Sequence, residues 1–182
     1  MTATSAVSQE ILNPHLCIEG RRRLQGVLKV SGAKNSALVL MTAGLLTDET
    51  VELTNVPNLT DISGMGRILS ALGVEVHHSG DSVVLNAANL TSHEPPYELV
   101  NSLRASFFCI GSLLGRLGHA RVPLPGGCRI GARPVVEHIR GLKALGAHVS
   151  VEHGVVTACV KGSSNRLTGG SIVLDCPSVG AT

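Results

Sequence analysis

Residues 124–139 read LPGGCRIGARPVVEHI, which sets Cys128 behind two glycines and beside Arg129, with Arg133 and Pro134 shortly after. A buried structural cysteine rarely keeps such company. Two cations and a nearby helix start favour the thiolate, the reactive form. Arg133 carries a planar fork that matches phosphate or carboxylate oxygens. Pro134 suits a first helical turn, so Arg133 stands where free backbone N–H groups also attract anions. The stretch therefore reads as a reactive thiol next to a place for an anionic ligand.

Two further cations open apolar helices. Lys34, with Asn35 beside it, begins the helix in LKVSGAKNSALVLMTAGLL, and Arg104 lies in LVNSLRASFFCIGSLLGRL. GAKNS lacks P-loop spacing, which argues against a nucleoside triphosphate site. The histidines of HHSGD at 77–81 and the others lack ligand spacing, so no metal site is read, and no cofactor is implied. The five cysteines are odd in number and form no CxxC pair, as in a reduced, cytoplasmic protein. Cys109 in SFFCIGSLL and Cys159 in VVTACV read as small hydrophobes. Cys17 and Cys176 flank expected strands and suggest no mechanism.

What positions these residues is an aliphatic α/β scaffold. The chain has 182 residues, 43% hydrophobic but 2% aromatic, so the core must be Val, Leu, Ile and Ala. A net charge of +2 with so few aromatics argues against a nucleic-acid surface. Arg21-Arg22-Arg23 reads as a solvated turn. The polar start is no signal peptide, and SALVLMTAGLL is too short to span a bilayer. In DISGMGRILSALGVEV, Ile62, Met65, Leu69 and Leu72 form one helical stripe, with Asp61 as the expected N-cap and Gly73 as the stop. ARPVVEHIRGLKALGAHV repeats the stripe with Val135, Ile139, Leu142 and Leu145, ending at Gly146. Leu72-Gly73-x-x-Val76 matches Leu145-Gly146-x-x-Val149 at an offset of 145 − 72 = 73 residues. Each copy follows a β-like run (TVELTNVP; ARVPLPGG) and precedes another (VVLNA; VVTACV), an internal repeat. GGSIVLDCPSVGAT then looks like the first strand of a third unit.

KNSALVL, ELTNVPNLTDI, PYELVNSLRAS, LPGGCRIGARPV and LDCPSVGAT, in that order, resemble the enolpyruvyl transferases, most closely members acting on a UDP-sugar. The resemblance covers about 28–182 and implies the family's inside-out α/β barrel domain of repeated strand–helix units, here incomplete. It implies a first domain over 31–182, with two repeat units and the start of a third. Residues 1–30 would be N-terminal strands that belong to, or hinge on, a second domain. Family members are roughly twice as long, so the chain is expected to be an N-terminal portion whose second half is missing. The implied activity is transfer of the enolpyruvyl group of phosphoenolpyruvate to the 3-hydroxyl of UDP-N-acetylglucosamine. That is the first committed step of peptidoglycan synthesis. A non-catalytic, truncated UDP-sugar-binding paralogue is the alternative.

The resemblance also implies roles. Cys128 is the proton donor to phosphoenolpyruvate and the residue alkylated by the epoxide fosfomycin. Lys34, Asn35 and Arg133 contact phosphoenolpyruvate. Arg104, Arg133, Pro134, Val135, Val136, Glu137, Ser178, Val179 and Gly180 contact UDP-N-acetylglucosamine. Many members carry an aspartate where this chain has Val136, and valine cannot accept a hydrogen bond from the uracil imide. Either Glu137 does so one position on, or backbone groups do. A family lysine is also missing from NVPNLTD, where Asn58 and Thr60 stand, and neither is assigned a role.

Overall fold

The structure, a computed structural model, describes residues 17–21, 23–126, 135–161 and 166–182. The chain divides into two compact units, Met1–Val30 and Ser31–Thr182. In the first, the described residues carry no helix or strand. Ile18, Leu24, Val27, Leu28 and Val30 are exposed. The strand expected over GVLKV is thus not formed, because a strand exists only where a neighbour takes up its backbone hydrogen bonds.

The second unit contains two copies of one plan. The first copy runs α1 (Lys34–Ala43), a 3₁₀ turn (Gly44–Leu46), β1 (Thr50–Leu53), α2 (Thr60–Ala71), β2 (Glu75–Ser79) and β3 (Ser82–Asn86). The second runs α3 (Tyr97–Ser102), a 3₁₀ turn (Arg104–Phe108), α4 (Cys109–Leu117), β4 (His119–Pro123), α5 (Val136–Ala144), β5 (Ala147–Glu152) and β6 (Val155–Val160). Their antiparallel sheets have the orders β1-β3-β2 and β4-β6-β5, with the last strand of each copy in the middle. Central strands alternate in burial, so Val83 and Leu85 face the core as Val156 and Ala158 do, each pair 73 residues apart (156 − 83; 158 − 85). Both sheets and the helices share one aliphatic core. The stripe Ile62, Met65, Leu69 and Leu72 is buried in it. The later stripe is shallower: Val135 is buried, while Ile139 and Leu142 are only half-buried.

Helix ends carry the second level of repetition. Gly73 and Gly146 have φ of +102° and +96°, which favours glycine. The carbonyl of the preceding leucine points away from its helix and is taken by a downstream threonine. Thr91 N–H donates to Leu72 O at 2.9 Å, and Thr168 N–H donates to Leu145 O at 2.9 Å. Both threonine hydroxyls reach the same carbonyls, at 3.4 and 3.1 Å.

Two further expectations need correction. The N-cap of α2 is Leu59, with extended backbone, and Asp61 lies inside the first turn. Its carboxylate is engaged by Lys34, and still gains from the helix N-terminus. The third unit's strand is not formed, since described residues 166–182 carry no strand and Val173 is 80% exposed. Its alternating pattern finds no sheet edge to join among the described strands.

Gly73→Ala and Gly146→Ala should both destabilise the fold, by about 1–2 kcal/mol from the positive φ alone. Gly73→Ala should cost more. Its Cβ would lie 2.4 Å from the Asn89 carbonyl oxygen and 2.8 Å from Thr91 N, whereas the nearest atom to a Cβ on Gly146 is the movable Thr168 hydroxyl at 2.7 Å. Urea midpoints of the two variants test this order; equal midpoints would contradict it.

Candidate functional site

Lys34 is the first residue of α1, and its place is set by a close approach just before it. The Gly32 N–H donates to Asn55 Oδ1 at 3.1 Å, and a Cβ on Gly32 would lie 1.8 Å from the Asn55 carbonyl oxygen. Asn55 itself has φ +56°. Only glycine permits this approach, which ties the start of α1 to the loop after β1. The Lys34 ammonium reaches Asp61 Oδ2 at 2.5 Å, with both side chains about two-fifths exposed (42% and 38%). An anion arriving here would find a cation already oriented, and would share it with Asp61. Asn35 is exposed on the same turn of helix.

Arg104 opens the 3₁₀ turn before α4, and α1 packs against that turn. The turn also supplies Phe107 and Phe108, whose rings lie 5.4 and 6.4 Å from the His138 ring. His138 stands on α5, directly after the residues expected to meet a UDP-sugar. Its Nδ1 is buried with no hydrogen-bond partner among the described residues. A Cβ placed on Gly180 would sit 3.1 Å from its Nε2. The structure therefore brings Arg104, the start of α5 and the 178–180 turn to one place.

Within that place the side chains differ. Val135 is buried and faces the core, while Val136 is 58% exposed. The Glu137 carboxylate does not stand free. Its Oε2 accepts the Asp175 N–H at 3.1 Å and lies 4.0 Å from Arg140 Nη1. Ser178 and Gly180 are partly covered, and Val179 is fully exposed. Cys128, Arg129, Arg133 and Pro134 lie outside the described residues.

Burial decides the protonation of two groups. Desolvation pushes the Cys109 thiol up to about 12, so it stays protonated and unreactive at neutral pH. His138 is held below the ordinary histidine value of 6.5, chiefly by burial. Arg104 adds to that shift, while the Gly180 backbone and Glu137 oppose it. Neutral His138 thus leaves the positive charge of this region to arginine. Among the described residues no cluster of three or more His, Cys, Asp or Glu could hold a metal ion. No helix among them is long and apolar enough to cross a membrane.

His138, Phe107, Arg140 and Asp175 were not singled out in the sequence, and Asp61 was singled out only as a helix cap. EHIR at 137–140 does carry an i,i+3 acid–base pair, but its link to Asp175 needs the fold.

A two-copy α/β scaffold that gathers cations at helix starts has known counterparts. Residues 18–182 match the family described as EPSP synthase (3-phosphoshikimate 1-carboxyvinyltransferase), and the chain belongs to it. Among its relatives, UDP-N-acetylglucosamine 1-carboxyvinyltransferase of Parasynechococcus marenigrum (strain WH8102) is 87% identical across the whole chain, which spans 42% of that protein. The proteins of the same name from Synechococcus sp. (strain CC9605) and Prochlorococcus marinus (strain MIT 9313) are each 70% identical over the same spans. In solved structures, the enolpyruvyl transferase NikO from Streptomyces tendae shares the fold over 82% of this chain and 32% of that one, with TM-score 0.66 and 24% identity. EPSP synthase from Acinetobacter baumannii does so over 86% and 36%, with TM-score 0.60 and 17% identity.

Stability should fall on acidification. Because the folded value of His138 lies below 6.5, the unfolded chain takes up the proton first as pH drops. Stability is then full above pH 6.5 and declines towards the depressed folded value. His119, lowered by burial and by His93, acts in the same direction. Urea midpoints at several pH values between 7.5 and 5 should slope downward, and His138→Gln should flatten the slope. An unchanged slope in that variant would remove His138 from the account.

Proposed function

We propose that this chain supplies substrate-binding residues and the acid of an enzyme that moves the enolpyruvyl group of phosphoenolpyruvate to UDP-N-acetylglucosamine. The observation that carries this reading is 87% identity along the whole chain to a protein named for that transfer. The whole reaction belongs to a protein of the relatives' length, of which this chain spans 42%. On this reading the protein is cytoplasmic, acts at the first committed step of peptidoglycan synthesis and is a fosfomycin target.

The reaction needs carbon 3 of phosphoenolpyruvate to gain a proton while the sugar oxygen attacks carbon 2. Carbon is slow to protonate unless an acid is held against it. Cys128 is that acid, and it can also add to carbon 2. Removing the proton again from carbon 3 of the adduct, with departure of phosphate, restores the double bond in the product. Arg133, Lys34 and Asn35 hold the phosphate and carboxylate, and fixed cations in a closed site stabilise the charge that develops. Arg104, 134–137 and 178–180 hold the UDP-sugar. A base for the sugar hydroxyl is assigned to the further length that the relatives possess.

Fosfomycin treatment of the protein at the relatives' full length should leave one adduct on Cys128, read by mass spectrometry of peptides, because Cys109 stays a buried thiol. Cys128→Asp should keep phosphate release and lose inactivation, since a carboxylic acid can donate the proton without being alkylated. Residues 1–182 alone should release no detectable phosphate, because loss of a base typically costs about 10²–10⁴-fold. Turnover by this chain alone would move the base into it. An adduct on Cys109, or binding of UDP-sugar with no turnover at full length, would refute the catalytic reading.

A further inference from the structure

The 175–182 segment has no regular structure, and its internal backbone bonds are confined to a turn in which Ala181 and Thr182 donate to Ser178 O at 3.2 and 3.1 Å. What holds it comes from one side of α5. Glu137 Oε2 accepts the Asp175 N–H at 3.1 Å. Arg140 Nη1 pairs with Asp175 Oδ1 and faces Glu137 Oε2 at 4.0 Å. His138 packs on Gly180, where a Cβ would lie 3.1 Å from Nε2 and 3.4 Å from Phe108 Cε1. Contacts from three residues of α5 thus run to the entry and the tip of the segment.

We propose that Glu137, His138 and Arg140 form a clamp that positions the 178–180 turn for a UDP-sugar, with Glu137 a positioning residue rather than an acceptor for the uracil. The binding half of this proposal rests on the function proposed above.

The members of the clamp are unequal. The Arg140–Asp175 pair is exposed, at 43% and 76%, and an exposed pair is worth little alone. The Glu137 side chain is only 12% exposed, and its bond to a backbone amide is charge-assisted. Arg140 therefore works mainly by keeping Glu137 and Asp175 from repelling each other. Glu137 Oε2 is committed to the Asp175 amide and to Arg140 and the side chain is largely covered, so the exposed Val136 beside it offers a ligand an apolar wall and no acceptor. Uridine selection at this point then falls to backbone groups.

The test uses the 182-residue chain, with two readouts: amide hydrogen exchange at 175–180, and calorimetric titration with UDP-N-acetylglucosamine. Arg140→Asp leaves three carboxylates facing one another. It should raise exchange at 175–180 about tenfold and weaken binding by a similar factor, at an unchanged unfolding midpoint. The pair Arg140→Asp with Asp175→Arg should bring both readouts back to within about threefold of the parent. Glu137→Gln, which keeps an acceptor oxygen, should retain more binding than Glu137→Ala. Parent-like exchange and affinity in Arg140→Asp and Glu137→Ala would overturn the clamp, as would a double variant no better than the single. If the parent chain binds no UDP-sugar, the proposed function fails at this site. The exchange data then decide the clamp, and unchanged exchange in Glu137→Ala overturns it.

Discussion

The last helix of each copy ends on a leucine carbonyl that its own helix cannot satisfy, and the fold depends on how that carbonyl is met. A glycine at positive φ turns the chain back towards the sheet, at Gly73 and again at Gly146. The freed carbonyls of Leu72 and Leu145 then bond Thr91 and Thr168, well downstream. This bond fixes where the chain goes after the sheet: to α3 and Arg104 in the first copy, and towards 175–182 in the second. The crossing is close because glycine has no Cβ, so a single missing atom in each copy sets the spacing between helix end and returning chain. The 178–180 turn is delivered by the same device that delivers Arg104.

Much of this was legible in the sequence, for physical reasons. The Leu-Gly repeat and the helical stripes depend on short-range patterns, and the stripe at 62–72 is buried as its spacing requires. Central strands were visible as VVLNA and VVTACV, because they bury alternate residues. The strands expected at GVLKV and GGSIVLD are not formed for the converse reason. Their residues fit a pleated sheet, but a strand is made by its neighbours, and the described chain gives these runs none. Asp61 was placed as a cap because aspartate suits that position. The helix begins at Thr60, and the carboxylate bonds Lys34 instead.

The candidate site divides along the same line. Lys34 and Arg104 were found from their positions at helix starts, a local feature. Long-range partners were not, since Asp61 is 27 residues from Lys34, and Asp175 is 38 from Glu137. His138 was hidden for another reason. In sequence it is one of eight histidines, and only its burial against Phe107 and Gly180 gives it weight.

The two cysteines with most to say are separated by environment rather than by type. Cys109, first residue of α4, gains nothing from its helix start, because burial outweighs it and the thiol keeps its proton. Cys128 has the opposite surroundings in sequence, with glycines in place of aliphatic neighbours and arginines on one side. Desolvation and nearby cations act in opposite directions on a thiol, so the same group can be inert packing or a working acid. Neutral His138 belongs to this balance. A second fixed cation beside Arg104 would strengthen attraction for any anion, whereas, on the proposed function, a neutral ring leaves recognition to the geometry of the arginine fork and of the turn at 178–180. Selectivity among anions then comes from where groups are held, which is why the contacts that hold them matter as much as the charges themselves.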